Sequence, residues 1–138
     1  MPGSSFQRTR RLSAPVLAFS LQREAEDIAR KAALASAGRA AQTLLKDGPV
    51  RLTLVGLKDG TVIAQHSARG PITVHVLLGS LRVTAGGSTT TVPAGSLIAV
   101  EGELEHDVAA SGDSAFLLSI FMPDDATEAD VPEHLTGD

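Results

Sequence analysis

Two histidines, His66 and His106, are the residues of this chain whose type and spacing best suit metal chemistry. His66 follows Gly60 after five residues, and His106 follows Gly95 after ten. Neutral imidazole is the commonest side-chain ligand of transition metals in proteins. The two histidines fall on separate predicted β segments, so a closed β structure is needed to bring them together.

The spacing of glycines and histidines resembles the two motifs of the cupin superfamily. The first motif runs glycine, five residues, histidine, one residue, histidine, three or four residues, glutamate, six residues, glycine. Its positions are held here by Gly60, His66, Ala68, Ile72 and Gly79. The second runs glycine, five residues, proline, one residue, glycine, two residues, histidine, and its positions are held by Gly95, Glu101, Glu103 and His106. The match spans residues 47–121 and implies a jelly-roll barrel, commonly a homodimer.

The resemblance also locates the departures from the family pattern. In the family, four ligands come from the two histidines and the glutamate of the first motif and the histidine of the second. Ala68 and Ile72 stand at two of these positions, and neither side chain binds a metal. Two imidazoles are half of a coordination sphere, whereas catalytic metal sites usually have at least three protein ligands. We therefore predict a divalent metal bound weakly or partially at His66 and His106, or two histidines hydrogen-bonded in a polar pocket.

His75 is the third candidate metal ligand. It lies three positions after Ile72, so simple strand alternation places it on the opposite face from that residue. A β-bulge near Pro71 or within the strand would bring it to the pocket face instead. Without such a bulge, His75 lies on the outer surface or in a dimer contact.

Three glutamates precede His106 in a predicted loop at the barrel mouth. Carboxylates beside a histidine supply an oxygen ligand or raise the imidazole pKa, and the alternative is a solvated acidic loop. These glutamates are Glu101, Glu103 and Glu105.

The elements that must position these residues are short β-strands preceded by one helix. Residues 21–35 carry apolar side chains at near-fourfold spacing with charged residues between them, which predicts an amphipathic helix that ends by Gly38. Beyond Lys46 the apolar period becomes two, as in strands. Turn-forming residues separate most of the predicted strands, which are 50–57, 61–64, 72–78, 81–84, 89–92, 96–100, 107–110 and 115–121.

Short strands at regular spacing with no helix between them predict an all-β fold, an antiparallel sandwich or barrel. Together with the resemblance to the cupin superfamily, this implies a cupin-type jelly-roll β-barrel with a short N-terminal α-helix. Four segments are predicted along the chain. They are a flexible basic leader (1–20), the helix (21–38), the barrel (41–121) and an acidic disordered tail (122–138) that holds six Asp or Glu and no Lys or Arg.

Composition restricts the function classes. The chain has no cysteine, which excludes disulfides, thiolate metal sites and cysteine nucleophiles. With four Phe, no Trp and no Tyr, it offers little stacking surface for sugars or single-stranded nucleic acid. A net charge of −4 argues against a nucleic-acid partner, and no apolar stretch is long enough for a membrane partner. We expect a cytoplasmic location.

A barrel lined by apolar side chains and a few polar groups suits a small organic ligand. The predicted lining is Val74, Val76, Ile98 and Val108, with His66 and His106 as the polar groups. The barrel region has three arginines, Arg51, Arg69 and Arg82. The side chain of Arg69 contacts either a ligand carboxylate or solvent.

We therefore predict a ligand-binding module with weak or no divalent metal and no organic cofactor. The alternatives are a divalent-metal oxygenase or isomerase that uses both motif histidines and a third ligand, and a structural or regulatory partner protein.

Overall fold

The structure, a computed structural model, describes residues 15–122, without the side chains of Gln65 and His66. The acidic tail after Met122 and most of the predicted leader lie outside these residues. One helix, α1 (Leu21–Leu34), confirms the predicted helix to within a residue. It buries Ala25, Ile28, Ala29 and Ala32 on one face, as the spacing of its apolar residues requires. No helix in the described part of the chain is long and apolar enough to cross a membrane.

Seven strands follow the helix and confirm the all-β prediction. They are β1 (Arg39–Asp47), β2 (Val50–Leu57), β3 (Val62–His66), β4 (Ile72–Ala85), β5 (Ser88–Pro93), β6 (Leu97–Val100) and β7 (His106–Phe121). All of the pairings are antiparallel, and β4 and β7 pair along most of their length. The first half of β4 and the second half of β7 lie between β2 and β6 in one layer. The other halves lie between β3 and β5 in the second layer.

Both long strands bend where they pass from one layer to the other. The β4–β7 register shifts twice between Val76 and Ser80, and Gly79 there has a φ of 73°. The predicted separation of strands 107–110 and 115–121 by a turn is wrong, because residues 111–113 lie inside β7, where Gly112 has a φ of 82°. Glycine adopts this left-handed conformation without the steric cost that a Cβ imposes. Gly79 and Gly112 therefore lie at bends within continuous strands rather than in turns between strands.

Two apolar clusters stabilise the barrel. The interior cluster draws on both layers, and Phe116, Val76, Val83 and Val108 are among its buried members. The second cluster lies outside the barrel, where α1 packs on β1 and β2. There a Cβ on Gly56 would collide with the backbone of Ile28, so the helix approaches β2 more closely than any other residue type would allow. α1 thus covers the part of the outer face formed by β1 and β2 and leaves the interior to the strands.

β1 was not among the predicted strands. Its pairing with β2 is irregular between Thr43 and Leu45, where a bulge places Leu44 under the helix. A bulge interrupts the alternation of buried and exposed side chains by which a strand is recognised in a sequence.

Candidate functional site

His106 begins β7 on the interior face of the barrel and is only 3% exposed. Its Nδ1 lies 3.0 Å from the carbonyl oxygen of Leu104. Because a carbonyl can only accept, Nδ1 carries the proton, and in the neutral ring the lone pair is on the buried Nε2. This backbone hydrogen bond fixes the tautomer and orientation in which an imidazole coordinates a metal or accepts a hydrogen bond.

His66 ends β3, and its backbone is the register partner of His106 in β7. The structure therefore brings the two motif histidine positions side by side in the same layer. They lie at the end of the barrel where β3, β4 and β7 meet the loops 67–71 and 101–105. We refer to this end as the mouth.

Ala68 and Ile72 stand at the family's other two ligand positions, and both are buried in the interior cluster. The two ligand positions of the family are therefore present in the fold, but both carry aliphatic side chains. The described residues include no group of three or more His, Cys, Asp or Glu that could hold a metal ion. Two of the four ligand positions of the cupin family therefore hold side chains that cannot bind a metal.

His75 lies apart from the motif histidines. Its neighbours Val74 and Val76 point into the barrel, so alternation directs His75 outward. Its register partners are Leu97, which is exposed, and Leu117, which packs against the outer cluster. The bulges of β4 come after this position, so they do not turn His75 toward the interior.

The loops of the mouth are tied together by their backbones. The Glu103 N–H donates to the carbonyl of Ala68 over 2.6 Å, and the Met122 N–H donates to that of Pro49 over 2.6 Å. Glu103 occupies the motif's glycine position and has a φ of 67°, the left-handed conformation that glycine would supply there. At this position the backbone thus has a conformation that suits glycine although the residue is a glutamate.

The charged side chains of these loops face solvent. Arg69 is exposed, as are the three glutamates of the loop before His106. Those glutamates are Glu101, Glu103 and Glu105. This exposure agrees with the interpretation of residues 101–105 as a solvated acidic loop.

The structure adds two polar residues that the sequence reasoning did not place in the interior. Arg51 and Thr53 alternate with Leu52 along β2 and face the barrel, with exposed fractions of 9% and 1%. The Cα partner of Arg51 in β7 is Ile120, a member of the interior cluster. Arg51 lies at the same end of the barrel as His106, in the opposite layer.

Several of the solved structures that this chain resembles are described as cupins. An RmlC-like cupin from Shewanella frigidimarina NCIMB 400 superposes with a TM-score of 0.64 at 19% identity, over 86% of this chain and 97% of that one. This chain has the cupin fold. Its structural neighbours are cupin superfamily proteins at low sequence identity, and the resemblance inferred from the motifs is confirmed at that level.

Two further structural neighbours are a protein of unknown function and an enzyme. A conserved protein of unknown function, SPY1581 from Streptococcus pyogenes, has a TM-score of 0.60 at 25% identity, over 64% of this chain and 78% of that one. A mutant of salicylate 1,2-dioxygenase from Pseudoaminobacter salicylatoxidans, in complex with gentisate, has a TM-score of 0.59 at 20% identity. That match covers 64% of this chain and 26% of the dioxygenase. No protein-family model and no curated protein matches this sequence.

Proposed function

We propose that this cupin-fold protein binds a small organic molecule at the mouth of its barrel and holds a divalent metal weakly or not at all. The observation that carries the proposal is the burial of Ala68 and Ile72 in the interior cluster. Aliphatic groups at these positions remove half of the family's ligands and add apolar wall. Small-molecule sites combine such walls with a few convergent polar groups.

His106 is the polar group best placed to orient a ligand. Its Nδ1–H is engaged by Leu104, so the buried Nε2 is the atom directed at the interior. In the neutral ring Nε2 accepts a hydrogen bond from a ligand hydroxyl or amide, and in the imidazolium it donates one to an oxyanion. Replacing His106 should therefore weaken ligand binding while leaving the barrel intact.

An oxygenase or isomerase that uses a divalent metal is the second candidate function. It is favoured by the orientation of His106, because metal-bound histidines commonly donate their other ring N–H to a backbone carbonyl, as Nδ1 does here to Leu104. His66, as the register partner of His106, is the matching second ligand position. This function needs a third ligand, and His75 is directed away from the site.

Metal content separates the two functions. The protein would be purified without chelators or an affinity metal and analysed for iron, manganese, nickel and zinc, alongside His66→Ala, His106→Ala and the outward-facing control His75→Ala. We expect well below one metal ion per chain in all four proteins. Stoichiometric metal that is lost in the first two variants and kept in His75→Ala would favour the enzyme and refute the binding module.

Ligand binding needs a direct test as well. Native mass spectrometry of gently purified protein reports a co-purified small molecule, and ¹⁵N spectra of the histidine rings report added ones. We expect the His106 ring signals to respond to ligand while those of His75 stay in place. A ligand that leaves the His106 signals unmoved would place binding elsewhere.

Self-association into a homodimer is part of the proposal. Support comes from the outer surface of the strands, where Leu97 and Phe121 are large apolar residues with exposed fractions of 60% and 43%. Apolar surface of this kind favours contact with a second copy. The cytoplasmic location stays a prediction.

A further inference from the structure

The strand β6 (Leu97–Val100) has one edge with which no strand of the described chain pairs. On its other side it is hydrogen-bonded to β4. An unpaired edge presents backbone N–H and C=O groups that can pair with another strand. The hydrogen bonds of β4 show which residues of β6 present these groups.

Alternate residues of an antiparallel strand direct their N–H and C=O groups to opposite sides. Val76 of β4 donates to the carbonyl of Ser96 over 3.0 Å and accepts from the N–H of Gly95 over 2.8 Å. The backbone groups of Val76 therefore point toward β6. The residues two and four positions earlier in β4 point the same way, and they are the register partners of Ile98 and Val100. These two residues are thus the ones that β6 uses to bond β4.

Leu97 and Ala99 therefore direct their N–H and C=O groups to the open edge. Their side chains are exposed as well, whereas Ile98 between them packs against the interior cluster. A separate hydrogen bond agrees with this alternation. The Phe121 N–H donates to the Pro71 carbonyl over 3.3 Å, which directs the odd-numbered residues at the start of β4 toward β7 and the even-numbered ones toward β6.

The other edge strands of the described chain have features that hinder pairing with a further strand. Bulges, charged side chains and prolines are the usual ones. β1 has a bulge and ends in Lys46 and Asp47, β3 has a register shift in its pairing, and β5 ends at Pro93. β6 has no charge and no proline, and its pairing with β4 is regular. This edge is therefore the one best suited to accept another strand.

We infer that two copies of this chain pair edge to edge through β6, antiparallel and around a twofold axis at Ile98. This inference rests on the self-association proposed above. With Leu97 opposite the partner's Ala99, the open-edge groups of both strands are all used, because each such pair exchanges two hydrogen bonds. In this register Glu101 lies opposite the partner's Gly95, so like charges do not face each other across the contact.

A second copy suits this edge because the contact contains no charge. The chain has a net charge of −4, so two copies repel each other least where the surfaces in contact are uncharged. Neither β6 nor its register partners in β4 include an Asp, Glu, Lys or Arg. A twofold pairing also uses the same edge in both copies, so neither edge stays open.

Three variants of the full-length chain test the inference by sedimentation equilibrium. Ala99→Pro removes an N–H from the open edge of each copy, and the dimer dissociation constant should rise about tenfold or more, because two hydrogen bonds per dimer are lost. Ala99→Val keeps the N–H and should leave the constant within about threefold of wild type. Phe121→Ser shortens an exposed apolar side chain that lies outside β6, and it should keep the dimer.

A disulfide tests the register and does not depend on the folding of Ala99→Pro. The chain has no cysteine, so an introduced one reports a single position. At the twofold axis the two Cα atoms of residue 98 should lie about 4.5 Å apart, within the range that a disulfide bridges. Ile98→Cys should therefore form a covalent dimer on mild oxidation. Thr91→Cys, at an exposed position of β5, should not.

Hydrogen exchange of the Ala99 amide distinguishes a second copy from other coverings of the edge. We expect its protection to increase with protein concentration. Protection that persists in the diluted monomer would mean that a segment of the same chain covers the edge, which overturns the inference. A dimer that survives Ala99→Pro, is lost in Phe121→Ser and does not cross-link in Ile98→Cys would overturn edge pairing and leave self-association standing. A wild-type monomer at high concentration would remove both.

Discussion

Replacing Glu103 by glycine should stabilise this protein. Glu103 holds a φ of 67° in the loop before His106, a conformation that costs a residue with a Cβ about 1–2 kcal/mol. Glycine removes this cost but adds flexibility to the unfolded chain, which offsets about 0.4–1 kcal/mol of the gain. The net expectation is a free energy of unfolding higher by up to about 1.6 kcal/mol. Urea denaturation followed by circular dichroism measures it.

Two further variants isolate the backbone effect. Glu101→Gly, at an exposed position of the same loop without a positive φ, should lower the free energy of unfolding by about 0.4–1 kcal/mol, because only the flexibility term applies. Glu103→Ala removes the carboxylate but keeps the Cβ, and should leave stability almost unchanged. If Glu103→Gly destabilises the protein as much as Glu101→Gly does, the left-handed conformation of Glu103 is not a source of strain.

Three other perturbations test the fold and the assembly. Gly56→Ala should lower the free energy of unfolding, measured by urea denaturation, by about 1–3 kcal/mol, because the added methyl group would collide with the backbone of α1 at Ile28. An unchanged free energy of unfolding would contradict this close approach of the helix to β2. Ile72→Glu should cost about 3–5 kcal/mol by the same measurement, since it places a charge in the interior cluster, and a loss under 1 kcal/mol would show that position 72 is not enclosed. Sedimentation equilibrium should give a dimer that Leu97→Asp converts to a monomer, whereas a wild-type monomer at high concentration would remove the proposed self-association.

The parts of the fold that were predictable are those in which the apolar residues recur with a single period along the sequence. The predicted helix 21–35 differs from α1 by a residue at its end, and the predicted strand 50–57 matches β2. The strands β4 and β7 were each predicted as two shorter strands, because Gly79 and Gly112 have the composition of turns. Local composition does not distinguish a chain reversal from a bend in a strand that continues into a second layer.

The candidate site was predictable only where a motif marks it. The positions of His66, Ala68, Ile72 and His106 followed from the spacing of the glycines, which the fold preserves. Arg51 has no such marker, because α1 covers the outer face of β2 and leaves apolar residues on both faces of that strand. A strand buried on both sides shows no alternation that tells which face holds the arginine.

The two longest strands belong to both layers, which restricts how the proposed ligand could enter the barrel. β4 and β7 run through the whole body and are hydrogen-bonded to each other along most of their length. The two layers are therefore joined by continuous backbone through both strands, and a displacement of one layer against the other would have to distort β4 and β7 at their bends. If the protein binds a ligand at the mouth as proposed, we expect the residence time of that ligand to respond more to substitutions at Gly70 and Gly102, where backbones lie in close contact, than to substitutions in the strands.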